Sequence, residues 1–182
     1  MKTKLMYYAL LVATMVVSVS CSSDKDEVTK TSGKLTIDGD EFNLTKGFVR
    51  RSNGGYIGPN GIVFSHTILL TSEEIDFDGQ FTFTGRGALA VFDVYSLVDG
   101  EITEGTFNFE KITENEPFFF DYYDANGDYD FDNPVGNEDE STDGVVTIKR
   151  SGEKYTITFA MEMKDGTTET GSYTGPLVDI LD

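Results

Sequence analysis

The sequence predicts a single all-β domain, an antiparallel β-sandwich of roughly eight to ten strands. From residue 33 onward, apolar and polar side chains alternate with the period of two that is typical of half-buried strands. Turn dipeptides, among them Asp38-Gly39, Ser151-Gly152 and Asp165-Gly166, separate the alternating runs. A closed meander barrel of the lipocalin type fits the same strand count, so both architectures stay open at this point.

The predicted strands follow one another from the first hairpin to Gly175-Pro176, where proline cannot donate to a ladder. They cover residues 34–37, 42–44, 48–51, 61–71, 75–83, 88–97, 106–110, 146–148, 155–163 and 168–174, with 118–123 as a further candidate. Residues 88–97 are apolar on both faces, which favours an interior strand. His66 shares a strand face with Phe64 and Ile68, which predicts a neutral, hydrogen-bonded core or rim histidine, with a general base as the alternative. Asp93 is a candidate for partial burial, with exposure at a sheet edge as the alternative.

The N-terminal residues predict where the protein is located in the cell. Lys2 and Lys4 precede an apolar run over residues 5–19, which is too short for a comfortable membrane span and has the layout of a secretory signal. The run ends in Ser18-Val19-Ser20-Cys21, which resembles a bacterial lipobox. The domain organisation is therefore a signal peptide over residues 1–20, the lipidated Cys21 with a flexible acidic tether over 21–32, and the all-β domain over 33–182.

The chain as a whole resembles the small envelope and surface lipoproteins of Bacteroidota, a family without a known activity. The resemblance rests on SCSSDKDE behind the signal, GKLTIDGDEFNL as the first hairpin, GTFNF, and DGVVTIKRSGEKYTITFAMEMKDG with TGSYTGPL at the end. It implies anchoring to the outer membrane through acyl chains on Cys21. The acidic tract behind Cys21 favours the cell surface over the periplasmic face.

Composition excludes other classes of protein. The chain has 32 acidic and 14 basic side chains, a net charge of −18, and loss of residues 1–20 removes two lysines and no acid, which gives −20. Nucleic-acid binding requires clustered cations, which are missing here. One cysteine and one histidine leave no intramolecular disulfide and no zinc site built from several cysteines or histidines.

The most unusual segment is residues 112–148, which holds 11 acidic side chains and no lysine or arginine. Within it, oxygen-bearing side chains occur at every second position: Asp124, Asn126, Asp128, Asp130 and Asp132. A hard cation such as Ca²⁺ binds six to eight oxygen atoms, so this segment is a candidate calcium loop. It departs from an EF-hand, because Tyr129 and Val135 stand where glycine and glutamate are needed. A solvated acidic loop without metal is the alternative, and no other cofactor is indicated.

Aromatic side chains surround the same segment, and flat rings at a sandwich edge can stack on sugars. The candidate ligand-binding residues are Phe120, Tyr122, Tyr123 and Tyr129, with packing in the core as the alternative. No catalytic motif occurs. The sequence therefore predicts a non-enzymatic outer-membrane or surface lipoprotein, a binding or accessory module for a glycan or protein ligand. The alternatives are an envelope structural or assembly component and, third, a hydrolase that acts on glycans.

Overall fold

The computed structural model describes residues 31–58, 61–79, 82–96, 98–109, 122–132 and 141–180. These residues contain thirteen strands and no helix. The strands are β1 (Ser32–Ile37), β2 (Asp40–Asn43), β3 (Lys46–Gly58), β4 (Gly61–Thr71), β5 (Asp76–Phe77), β6 (Phe83–Thr84), β7 (Arg86–Ser96), β8 (Gly105–Asn108), β9 (Tyr122–Asp130), β10 (Ser141–Ser151), β11 (Lys154–Met163), β12 (Thr168–Gly175) and β13 (Val178–Ile180). The number exceeds the prediction because several very short strands accompany the long ones.

The predicted turns form where the dipeptides occur. Asp38 and Gly39 have φ angles of 51° and 91°, the pair of positive values that a tight hairpin turn with two central residues needs. They join β1 to β2, which pair in antiparallel register with Ile37 opposite Asp40. Gly152 and Gly166, with φ angles of 62° and 88°, lie in the β10–β11 and β11–β12 turns. Local turn chemistry therefore determines these hairpins.

The strands form two main sheets. Sheet A has the order β2-β1-β12-β11-β10-β8 and sheet B the order β13-β3-β4-β7-β9. Each sheet ends in two edge strands within the described residues, so the described sheets do not close into a barrel, and the prediction of a β-sandwich is confirmed. The prediction of purely antiparallel pairing needs one correction, because β13 runs parallel to β3.

At two tight corners the chain passes directly from sheet A to sheet B. Two residues connect β2 in sheet A to β3 in sheet B, and Pro176 and Leu177 connect β12 to β13 in the same way. The Tyr173 hydroxyl donates to the Pro176 carbonyl oxygen at 2.6 Å, and burial raises the pKa of Tyr173 to about 12. A Cβ at Gly47 would lie 2.6 Å from the Tyr173 Oη, so glycine allows β3 to approach this corner.

The core lies between the sheets and follows the predicted alternation. On β4 and β7 the inward residues Ile68, Leu70, Ala90 and Phe92 are fully buried. The ring of Phe92 meets that of Phe159 on β11 with 5.6 Å between centroids, which joins sheet B to sheet A. Burial of these apolar surfaces is the main stabilising contribution in a chain with a single cysteine.

A second, smaller aromatic cluster covers the outer face of sheet B. It consists of Phe48, Phe77, Phe83, Tyr129 and Phe131, whose neighbouring ring centroids are 4.8 to 5.3 Å apart. The short hairpin β5–β6 contributes Phe77 and Phe83. The prediction of one strand over residues 75–83 was wrong: Gly79, with a φ angle of 81°, reverses the chain, and the aromatic side chains fold back onto the sheet.

Within the part of the chain that the structure describes, no helix has the length and apolarity that a membrane crossing needs.

Candidate functional site

An open groove with a volume of about 390 Å³ lies at one end of the sandwich. It runs between β2 of sheet A and the adjoining ends of β4, β7 and β9 of sheet B. Three carboxylates, Glu41, Glu73 and Glu74, line it together with the hydroxyl groups of Thr45 and Ser72. This volume falls within the range of pockets that bind small ligands.

Glycines and one aromatic ring shape the floor of the groove. The Phe42 ring lies against Gly127 on β9, where an added Cβ would come within 2.2 Å of the Phe42 Cζ. Gly87 has no room for a side chain either, because its Cβ would lie 2.2 Å from the Ser72 Oγ. The Ala88 amide donates to that Oγ at 3.0 Å, which fixes the Ser72 side chain. The floor is therefore apolar and closely packed.

Hydrogen bonds hold the carboxylates at the rim. The Thr45 hydroxyl donates to Glu73 Oε2 at 3.1 Å. A hydrogen bond from Ser72 lowers the pKa of Glu74, so this carboxyl is ionised at neutral pH. Among the described residues that line the groove, none is a lysine, arginine or histidine. The groove therefore presents hydrogen-bond acceptors and negative charge beside an apolar surface.

The two nearest lysines are occupied by contacts within the protein. Lys46 Nζ donates to the carbonyl oxygens of Glu73 and Ile75 at 2.7 and 2.9 Å, which ties the loop after β4 to β3. Lys34 Nζ pairs with Glu41 Oε2 at 2.7 Å on the exposed surface. Each lysine offsets part of the negative charge from outside the groove, and the acceptor oxygen atoms of Glu73 and Glu74 still face the opening.

The acidic segment from Asp124 to Asp130 is a strand and not the loop that the sequence suggested. It forms most of β9, the edge strand that pairs with β7 in antiparallel register. The aromatic neighbours explain this difference, because Tyr129 and Phe131 alternate with acids and pack onto the outer face of sheet B. An extended strand separates Asp124 from Asp130 by roughly 20 Å. The five proposed calcium ligands therefore do not converge on one point.

Asp128 has a protein partner. Arg86 Nε donates to Asp128 Oδ1 at 2.5 Å, and the second oxygen pairs with Nη2 of the same guanidinium. This hydrogen-bonded pair holds the pKa of Asp128 below its usual range. The Asp132 amide donates to Asp130 Oδ1 at 2.9 Å. Among the described residues, no group of three acidic, histidine or cysteine side chains is arranged to hold a metal. The calcium site stays a prediction.

Of the predicted aromatic ligand-binding residues, the structure describes the side chain of Tyr129 alone. Its ring is partly buried and meets Phe131 edge to face, with 4.8 Å between centroids. Phe120 and the proposed lipidation site Cys21 lie outside the described residues, and Tyr122 and Tyr123 belong to β9 without described side chains. Asp124 and Asn126 likewise belong to β9 without described side chains.

His66 is buried as predicted, with 1% of its surface exposed. Both of its ring nitrogens are buried. Burial, followed by the positive charge of Arg51, lowers its pKa, whereas a hydrogen bond with the backbone of Glu101 acts in the opposite direction. Ser65 lies on the opposite face of β4 from His66, and Asp93 on β7 is 6% exposed.

Sequence reasoning missed the groove and the contacts of Arg51. The groove joins residues from four distant segments, and no local pattern marks Glu41, Glu73 and Gly127 as neighbours. The Arg51 Nε lies 2.9 Å from Asp179 Oδ1, and its Nη1 donates to the Gly100 carbonyl oxygen at 2.5 Å. These partners are separated from Arg51 by 128 and 49 positions in the sequence.

Comparisons with protein-family models, with curated proteins and with solved structures each return no match.

Proposed function

We propose that this protein is a lipid-anchored, non-enzymatic binding module of the bacterial envelope that takes a hydroxyl-rich ligand of the glycan class in its open groove. The groove is the observation that carries the proposal. It offers carboxylate and hydroxyl oxygen atoms around the apolar floor formed by Phe42, Ala88 and Gly127. Sugars present many hydroxyl donors beside apolar C–H faces, and this arrangement suits both.

The charge of the groove makes the proposal more specific. Glu41, Glu73 and Glu74 would accept hydrogen bonds from hydroxyl groups, and charge-assisted bonds of this type are roughly twice as strong as neutral ones. An amino sugar adds an ammonium group to the same hydroxyl pattern. We therefore expect a preference for amino sugars over neutral or N-acetylated sugars and weaker binding at high salt.

The test is a titration of the isotope-labelled full chain with the glucosamine trimer, with the N-acetylglucosamine trimer as a matched ligand without charge. Amide shifts are expected at Thr45, Ser72 and Gly127 with the first ligand. Replacement of Glu74 or Glu41 by glutamine should weaken binding by about tenfold, the loss of one charge-assisted hydrogen bond.

Glu153→Gln is the control for that titration, because it removes the same charge from the exposed β10–β11 turn and does not line the groove. If it weakens binding as much as Glu74→Gln, the effect is general electrostatics and the groove is not the site. Shifts that gather on the aromatic cluster of sheet B would move the site there. No shift with either trimer would overturn the glycan proposal.

The proposed lipid anchor and location in the cell envelope are tested separately. Metabolic labelling with an alkyne fatty acid should tag the full chain and should not tag the Cys21→Ser variant. Protease added to intact cells should degrade the protein if it faces outward, whereas protection until the outer membrane is opened would favour the periplasmic face. Absence of label on the wild-type chain would contradict the lipid anchor.

One observation favours an assembly role as the second candidate. β9 is an edge strand of nine residues, and such an edge can pair with a strand from another protein. The register between β7 and β9 is irregular at two places, and Asp128 and Asp130 add charge, both of which discourage pairing. We therefore rank strand addition below ligand binding. Dimers or filaments of the full chain, seen by light scattering, would reverse the order.

A further inference from the structure

We propose that His66 and Arg51 form a proton-sensitive latch, which holds segment 98–104 and strand β13 against β3 at neutral pH and releases them when His66 gains a proton. The inference does not depend on the proposed ligand. It rests on a buried imidazole that lies beside Arg51 and on the contacts that this guanidinium makes with two other elements.

Arg51 connects three elements of the fold. It lies on β3 at the point where the register with β4 shifts, and its Cα pairs with that of His66. Its Nη1 donates to the carbonyl oxygen of Gly100 at 2.5 Å, and its Nε lies 2.9 Å from Asp179 Oδ1 on β13. The guanidinium thus fastens a loop and the last strand of sheet B to β3.

Within the described residues, β13 is a short edge strand of sheet B, and Ile180 at its end is buried. It pairs with β3 over three residues, Val178 to Ile180, and Val178 is half exposed. A strand this short depends on its side-chain contacts to stay paired. Loss of the ion pair between Arg51 and Asp179 should therefore affect β13 before it affects the long central strands.

His66 supplies the proton-sensitive group. Both of its ring nitrogens are buried, and burial disfavours the charged ring more than the hydrogen bond with the Glu101 backbone favours it. An added proton therefore creates a charge that the folded protein solvates poorly. The charged groups that face it are Arg51 on β3, Asp99 and the backbone of Glu101 in segment 98–104, and Asp179 on β13. From β7 the residue opposite His66 is Val94, which carries no charge.

Protonation changes the balance among these groups. The imidazolium repels the Arg51 guanidinium and attracts the carboxylates of Asp99 and Asp179. Asp179 is already the partner of Arg51, so the two cations compete for it. Repulsion by the imidazolium displaces the Arg51 guanidinium, which breaks its contacts with Gly100 and Asp179 and releases segment 98–104 and β13 from β3. Both elements respond together because one guanidinium holds both.

The experiment is a pH titration of the isotope-labelled full chain by NMR between pH 7.5 and 4.5. His66 is the only histidine, so its ring signal needs no assignment. We expect its midpoint below the ordinary value of about 6.5. The amide signals of Gly100 and Asp179 should shift with the same midpoint, whereas that of Gly152 in the β10–β11 turn should not. Ring titration without movement of the Gly100 and Asp179 amides would overturn the proposal.

Two variants distinguish protonation of His66 from protonation of carboxylates as the cause of the amide transition. His66→Gln should abolish the amide transition above pH 4.5, and its persistence would show that acids cause it and would overturn the proposal. Arg51→Gln changes a partly exposed side chain and serves if the first variant does not fold. It should raise the midpoint of the His66 ring and uncouple the Gly100 amide from that midpoint. An unchanged midpoint would equally contradict the latch.

Discussion

The β3–β4 hairpin places polar groups in two different environments along its length. At Arg51 and His66, the imidazole faces inward and is sealed from water, and the guanidinium beside it is 39% exposed. At Lys46 and Thr71, five residues nearer the end of the sandwich, the strands lead into the groove, where Glu73 and Glu74 are exposed. The same two strands thus carry a buried histidine and an open acidic rim.

This difference shows at which positions a charge affects the stability of the fold. In the interior, the effective dielectric constant is low, so one proton on His66 has a large effect on its neighbours. At the rim, water and salt screen the carboxylates, and their repulsion costs little. The rim can therefore keep several acids together for ligand contact, whereas the buried level tolerates one neutral histidine.

The largest effect is expected from a truncation at the buried level. Ile68 lies two residues from His66 on the same face of β4 and is fully buried. Ile68→Ala should reduce the free energy of unfolding by about 2–5 kcal/mol through lost transfer energy and a cavity. Ile62→Ala is the control on the same strand, since Ile62 is 55% exposed, and it should change stability by less than about 0.5 kcal/mol. Urea unfolding measures both, and similar losses would mean that burial along β4 does not decide stability.

Acid should affect the two levels in different pH windows. The folded-state pKa of His66 lies below its unfolded value, so the unfolded chain binds the proton first and stability falls as pH drops below about 6.5. Glu74 has a lowered pKa, so its contribution is present at neutral pH and is lost only as pH falls below the ordinary glutamate range.

Melting temperature against pH checks this separation of windows. His66→Gln should remove the loss between about pH 6.5 and 5 and keep the loss at lower pH. Glu74→Gln should keep the first loss and reduce the second, to which Asp128 also contributes. An identical pH profile for both variants and the wild type would show that other groups dominate the acid sensitivity.

A smaller effect is expected where a lysine braces the rim. Lys46 donates to the carbonyl oxygens of Glu73 and Ile75, so Lys46→Met should destabilise the fold by about 1–2 kcal/mol through unsatisfied carbonyl groups. Lys34→Met, which breaks the exposed pair with Glu41, should cost less than about 1 kcal/mol. Chemical unfolding of both variants compares them. Equal costs would show that the rim depends on surface charge and not on the bracing contacts.

The smallest effect is expected from calcium. Arg86 already pairs with Asp128, and β9 spreads the acids along an edge. Millimolar Ca²⁺ and Mg²⁺ should therefore raise the melting temperature equally, by general screening of the negative charge. A rise selective for Ca²⁺ that disappears in Asp128→Ala would establish the calcium site that the sequence suggested and would contradict this expectation.

Sequence reasoning worked where the signal is local. The Asp38-Gly39 turn, the hairpins at Gly152 and Gly166, and the burial of His66 and Asp93 each follow from neighbouring residues and a period of two. It failed for residues 75–83, which fold back at Gly79, and for the acidic segment of β9. In both cases aromatic side chains that pack on the outer face of sheet B decided the conformation, and their partners are distant in sequence.

Alternation and turn residues act within a few positions, so the sequence was sufficient to predict the all-β class, the turns at Asp38-Gly39, Gly152 and Gly166, and the buried faces of β4 and β11. Long-range packing selected the pairing of β1 with β12, the contact of Phe42 with Gly127 and the ion pair between Arg51 and Asp179. These contacts join residues far apart along the chain, so no local pattern specifies them. The groove and the surroundings of His66 both arise from such contacts.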